Sequence, residues 1–180
     1  QQVSIDNQLR YEIWLATNVF EQKQKGYYGV YIKVTMGDIH TDVARKMVDA
    51  IKPYVADEIR ITQNQGLLLK YVRKEALPAL YAALTEINMS APGFDSVADV
   101  TTCPGTDTCN LGISNSMTLS AVLEDLVYTE YEDFVLNREI KIKISGCMNS
   151  CGQHGLAHIG FHGSSLKAGL KVLPSVQVLL

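Results

Sequence analysis

Four cysteines occur in the chain, in two pairs: Cys103 and Cys109 in "TTCPGTDTCNLG", and Cys147 and Cys151 in "SGCMNSCGQHG". Thiolates are soft ligands, and four drawn from two distant loops can hold a tetrahedral zinc or a cubane iron–sulfur cluster. Structural zinc sites pair their cysteines two to four residues apart in tight knuckles. The five residues between Cys103 and Cys109 are too many for a knuckle and suit two corners of a bulkier cluster. Gly105, Gly112, Gly146 and Gly152 flank the thiols. Without a Cβ, their backbone can come close to inorganic sulfide and present N–H groups to it.

A competing set lies in the second loop. Cys147, Cys151, His154 and His158 follow the pattern C-x3-C-x2-H-x3-H, four ligand types that zinc accepts. That reading describes a zinc-stabilised interaction module and leaves Cys103 and Cys109 without a task. It also takes its histidines from a segment that reads as loop and then strand.

Bulk properties bound both readings. The chain has 180 residues, 47% of them hydrophobic, and a formal charge of −3. That is enough for one large domain or two small ones, with no basic footprint for nucleic acid. The apolar runs are short and broken, so no membrane span is expected, and the start lacks the basic-then-apolar pattern of a signal peptide. A cytoplasmic protein with reduced thiols follows, in which paired cysteines read first as metal ligands. The chain opens on Gln1-Gln2 without a methionine and closes on the strand-like "LPSVQVLL", which suggests a piece of a longer protein.

The elements that position these residues alternate. "GVYIKVTM" (29–36) reads as a strand. The next segment has helical spacing, with Val43, Met47, Ala50 and Ile51 on one face and Thr41 or Asp42 as the cap. "DEIRITQ" and "GLLLKYV" are two strands linked tightly at Asn64 to Gly66, and "KEALPALYAALTEI" is a helix with Pro78 in its first turn. Most of a ferredoxin-like α+β unit is present. After the linker "NMSAPGFDS" come the first cysteine pair, a helix around Met117 to Tyr128, the strand "EIKIKIS", the second pair, and strands through "LAHIGFHG" and from Lys171.

The spacing C-x5-C followed by "GCMNSCG" resembles the sirohaem-dependent nitrite and sulfite reductases. The resemblance runs from about Trp14 to the end, and "RITQNQ" (60–65) is similar to the R-x-T-x-x-Q stretch that lines the family's sirohaem. It implies an α+β chain: a lead-in over 1–26, a ferredoxin-like half-domain over 27–90, and a mixed α/β 4Fe-4S domain over 91–180, truncated at its C-terminus. It further implies that Cys103, Cys109, Cys147 and Cys151 ligate a [4Fe–4S] cluster, with Cys151 bridging to the sirohaem iron. Arg60, Thr62, Gln65, Thr102 and Asn149 are implied as cofactor-binding.

Sirohaem carries several carboxylates, so Arg60 is a plausible clamp for one of them; the alternative is a surface arginine on a half-exposed strand. Asn149 suits either a hydrogen bond to a cluster sulfur or a turn cap. Lys141 and Lys143 share a strand face leading toward Cys147, either for the cofactor or simply as the wet side of the strand. Met148 stands where the family often has proline.

The implied activity is six-electron reduction of nitrite to ammonia, slightly favoured by "NSCGQ", or of sulfite to sulfide. Ferredoxin or a similar carrier is the implied donor. The basic residues that hold the oxyanion are expected in the N-terminal half of the same enzyme. Only one of the family's two halves is visible here, so the isolated fragment is expected to be inactive, to lack sirohaem and to have empty or mobile cysteine loops.

Overall fold

The amphipathic spacing of Val43, Met47 and Ile51 gives a helix whose Met47 and Ile51 are buried, as seen in a computed structural model of the chain that describes residues 5–180. The first four residues of the lead-in lie outside the described residues. The chain divides into two units, Gln1–Phe94 and Asp95–Leu180.

In the first unit, α1 (Gln8–Asn18) is capped by Asn7, whose side chain accepts the Arg10 N–H, satisfying a donor at the helix start. It leads into β1 (Val19–Glu21) and β2 (Tyr27–Ile32). β2 stops earlier than the alternation of 29–36 suggests. Met36 and Gly37 both take positive φ in a turn that ends the extended run. α2 (Thr41–Ile51) begins after His40, so the cap falls one residue before Thr41 and makes no side-chain hydrogen bond.

β3 (Ile59–Ile61), β4 (Leu67–Arg73) and α3 (Leu77–Glu86) follow, with Pro78 in the first turn of α3. The strands form an antiparallel sheet of order β1-β2-β4-β3. Its core joins Val30, Ile32, Leu69 and Val72 of the sheet to Trp14, Met47, Leu80 and Leu84 of the helices. Each such side chain contributes about 1.5–3 kcal/mol by leaving water. The Tyr11, Trp14 and Tyr81 rings pack together at centroid distances of 4.9–6.0 Å, so the lead-in helix is part of this unit's core.

The second unit is a β-α-β crossover with an added hairpin. β5 (Thr101–Thr102) and β6 (Ile142–Ser145) are parallel neighbours, joined by α4 (Ser116–Glu130). Parallel strands need such a long connection. β7 (Ile159–Ala168) pairs parallel to β6, and β8 (Lys171–Leu179) returns antiparallel to β7. Asn115 caps α4 by accepting the Thr118 N–H at 2.9 Å. The buried Glu124 accepts the Val100 N–H at 3.0 Å, fixing the helix to the strand that leads into the first cysteine loop. Among the described residues no helix is long and apolar enough to cross a membrane.

Candidate metal centre

Because β5 and β6 are parallel neighbours, their C-terminal ends lie on one side of the sheet. Cys103 is the first residue after β5, and Cys147 stands two residues beyond the end of β6. Topology therefore brings the two cysteine loops together. Cys147 is buried, Cys103 half-buried, and Cys109 and Cys151 exposed, all as free thiols.

The loops interlock through backbone. Gly146 donates its N–H to the Cys103 sulfur at 3.1 Å, and its carbonyl accepts the N–H groups of Ile113 and Ser114 at 2.8 and 3.1 Å. The Cys103 N–H is donated to Ile144 at 3.2 Å, and the Cys109 N–H to Gly105 at 3.0 Å. A Cβ on Gly146 would stand 2.5 Å from the Gly105 Cα, and one on Gly152 would stand 1.8 Å from the Ile144 oxygen. These two glycines permit close contact between the backbones of the two loops.

Three hydroxyls complete the frame. The buried Ser116 donates to the Cys103 carbonyl at 2.7 Å, with its oxygen 3.7 Å from the Cys103 sulfur. Thr102, equally buried, donates to the same carbonyl at 3.1 Å. Ser145 accepts the Gly152 N–H at 3.0 Å. Ser116 also opens α4, so the N-terminal end of that helix lies beside the first cysteine loop. Sequence reasoning missed Ser116 and Ser145; the small-residue spacing around both cysteine pairs was the only signal for them.

Asn149 and Met148 are exposed at the tip of the second loop, and Ser150 after them takes a positive φ of 62°. Lys141 is ion-paired to Asp95 at 2.8 Å and also donates to its carbonyl. Lys143 donates to Thr101 at 3.2 Å and to Gln153 at 3.1 Å. Burial lowers the Lys143 pKa, with Asp99 and Asp95 opposing and Lys141 adding to the shift. Neither lysine is simply the wet side of a strand.

In the first unit, Arg60 is exposed on β3 and lies 3.5 Å from Glu58. Thr62 shapes the β3–β4 turn: its hydroxyl accepts the Gly66 N–H at 3.0 Å. Gln65 holds a positive φ of 62° in the same turn.

The histidine-containing zinc set has no support. His158 Nδ1 accepts the Lys141 N–H at 3.2 Å. His154 is buried, its ring 4.8 Å from that of His162, and its Nδ1 has no hydrogen-bond partner. Among the described residues, no three His, Cys, Asp or Glu side chains are grouped so as to hold a metal ion, the four cysteines included. What the two loops do offer is four thiols on a glycine-interlocked frame with an N–H already aimed at one sulfur. Thiols with hydrogen bonds to sulfur are iron–sulfur donor chemistry, so the donor types, though not a closed set of four, match a [4Fe–4S] cluster.

Comparison with known proteins gives the same division. Residues 20–87 match the nitrite/sulfite reductase ferredoxin-like half domain, and residues 93–173 match the nitrite and sulphite reductase 4Fe-4S domain. The chain is 25% identical to the ferredoxin–nitrite reductase of Synechococcus elongatus over 162 residues, 90% of this chain and 31% of that protein. It is 27% identical to the assimilatory-type sulfite reductase of Nitratidesulfovibrio vulgaris over 143 residues, 79% of this chain and 63% of that protein. The solved structure of the Mycobacterium tuberculosis NirA protein superposes with a TM-score of 0.77 at 24% identity, covering 90% of this chain and 30% of that one. The chain thus spans between about a third and two thirds of the length of these relatives.

Proposed function

The chain belongs to the nitrite and sulfite reductase family, and on that premise we propose that Cys103, Cys109, Cys147 and Cys151 hold the [4Fe–4S] cluster of an oxyanion reductase. The observation that carries this reading is the placement of Cys103 and Cys147 beyond the C-terminal ends of two adjacent parallel strands. When bound, the cluster and a sirohaem supply the electron-transfer chemistry. The chain's own residues ligate, position and shield. Cys151 would hold the cluster on the side where sirohaem binds; its exposure suits a ligand that must meet a second group. Arg60 takes a sirohaem carboxylate, a role its exposed guanidinium leaves open. Asn149, exposed between two of these cysteines, would shield the cluster from solvent.

The substrate is nitrite, reduced to ammonia, in preference to sulfite. "NSCGQ" (149–153) slightly favours that choice; the relatives include both nitrite and sulfite reductases. Ferredoxin is the proposed donor on the basis of the ferredoxin–nitrite reductases among the relatives.

The test is anaerobic turnover by the full-length protein with chemically reduced ferredoxin, nitrite and sulfite being offered separately and ammonia and sulfide measured. A higher kcat/KM for nitrite supports the proposal. A sulfite preference reverses the substrate assignment, and absence of turnover with both, in protein that carries iron and sirohaem, overturns it.

A further inference from the structure

Ser116 has a single hydroxyl proton and two acceptors on one residue. Its oxygen lies 2.7 Å from the Cys103 carbonyl and 3.7 Å from the Cys103 sulfur. The side chain is fully buried, so bulk water cannot substitute for it. The carbonyl has a second donor of its own in the Thr102 hydroxyl at 3.1 Å. The Ser116 proton can therefore turn from oxygen to sulfur without stranding a buried acceptor, a loss that would otherwise oppose the rotation.

We infer that Ser116 is a positioning residue for the cluster: its hydroxyl is a rotatable second donor to the Cys103 thiolate, beside the fixed Gly146 N–H, and it raises the cluster's reduction potential. This inference rests on the proposed cluster ligation.

The physical reason is charge. One-electron reduction of a [4Fe–4S] cluster places more negative charge on its sulfurs, and a donor to thiolate stabilises the more negative state most. The Gly146 N–H, 3.1 Å from the sulfur, is fixed by the backbone and cannot turn. The Ser116 proton moves with the charge. Cys103 thereby differs from the exposed Cys109 and Cys151 as the corner of the cluster whose charge the protein compensates. Thr102, which the sequence reading assigned to the cofactor, acts through the Cys103 carbonyl by freeing Ser116.

The test uses the full-length protein purified without oxygen. Iron and acid-labile sulfide are measured first; their absence from the wild type refutes the cluster reading itself. With clusters present, EPR-monitored redox titration should find the Ser116→Ala potential more negative than wild type. A tenfold change in the oxidised-to-reduced ratio would read as about 59 mV for one electron. Thr102→Val should move the potential the same way, because Ser116 is then held on the carbonyl. In wild type exchanged into deuterium oxide, ENDOR of the reduced cluster should show an exchangeable deuteron that Ser116→Ala lacks. Unchanged potentials in both variants overturn the inference. If Ser116→Ala does not assemble a cluster, an unshifted Thr102→Val still overturns it and a negative shift upholds it.

Discussion

Gly146 gives its backbone N–H to the sulfur of Cys103 at 3.1 Å, joining residues 43 positions apart in the chain. The contact exists because β5 and β6 run parallel side by side and because no Cβ separates the Gly146 loop from Gly105. A thiol in this position has a donor waiting before any metal arrives, which preorganises ligation.

Gly152→Ala tests that interlock. Its Cβ would fall 1.8 Å from the Ile144 oxygen, the acceptor of the Cys103 N–H at 3.2 Å, so backbone must shift. We expect destabilisation of the second unit by about 1–3 kcal/mol or more and a loss of bound iron. Gly155→Ala, whose Cβ would meet only the Ser150 hydroxyl oxygen at 3.8 Å, should keep its iron. Denaturant titration and metal analysis of both variants decide the point, and equal iron contents would refute it.

Arg60→Met should lower sirohaem occupancy while leaving the fold intact. The side chain is exposed and its recorded ion pair to Glu58, at 3.5 Å, is of the surface kind that contributes little. Loss of a charge-assisted hydrogen bond to a carboxylate costs about 1.5–3 kcal/mol. Pyridine haemochrome-type spectroscopy measures the occupancy; full retention reduces Arg60 to a surface residue.

Acid should weaken the second unit through His154. Burial first, and the neighbouring His162 second, lower its pKa. In the unfolded chain the same group binds a proton near pH 6.5. Between that value and the lower folded one, the unfolded state holds more protons, so stability falls as pH falls through this window. Urea midpoints at about pH 7.5 and about pH 5.5 should differ in that sense, and His154→Phe should reduce the difference. An unchanged slope in the variant contradicts the assignment.

The sequence carried the order of the long elements and the identity of the four thiols. α2, α3, α4 and β4 declared themselves because each has a long periodic stretch or a clear turn on its flank. α1 did not: Tyr11 and Trp14 are its largest buried residues, too few to mark a helical face. β5 has only two residues, below any recognisable alternation, and the parallel pairing that brings the cysteine loops together depends on it. The four loop glycines were visible, but not what they meet, since close approach of two backbones is a property of the tertiary structure. Thr62 illustrates the same limit. Its motif spacing suggests a cofactor contact but does not show that its hydroxyl also accepts the Gly66 N–H in the β3–β4 turn.

The most direct test of the account is metal and acid-labile sulfide analysis of the full-length protein purified anaerobically, beside its Cys103→Ser, Cys151→Ser and His154→Ala variants. Four-thiolate ligation predicts about four iron and about four sulfide per chain, lost on replacing either cysteine and retained on replacing His154. Zinc without sulfide, stripped by His154→Ala and indifferent to Cys103→Ser, would contradict it.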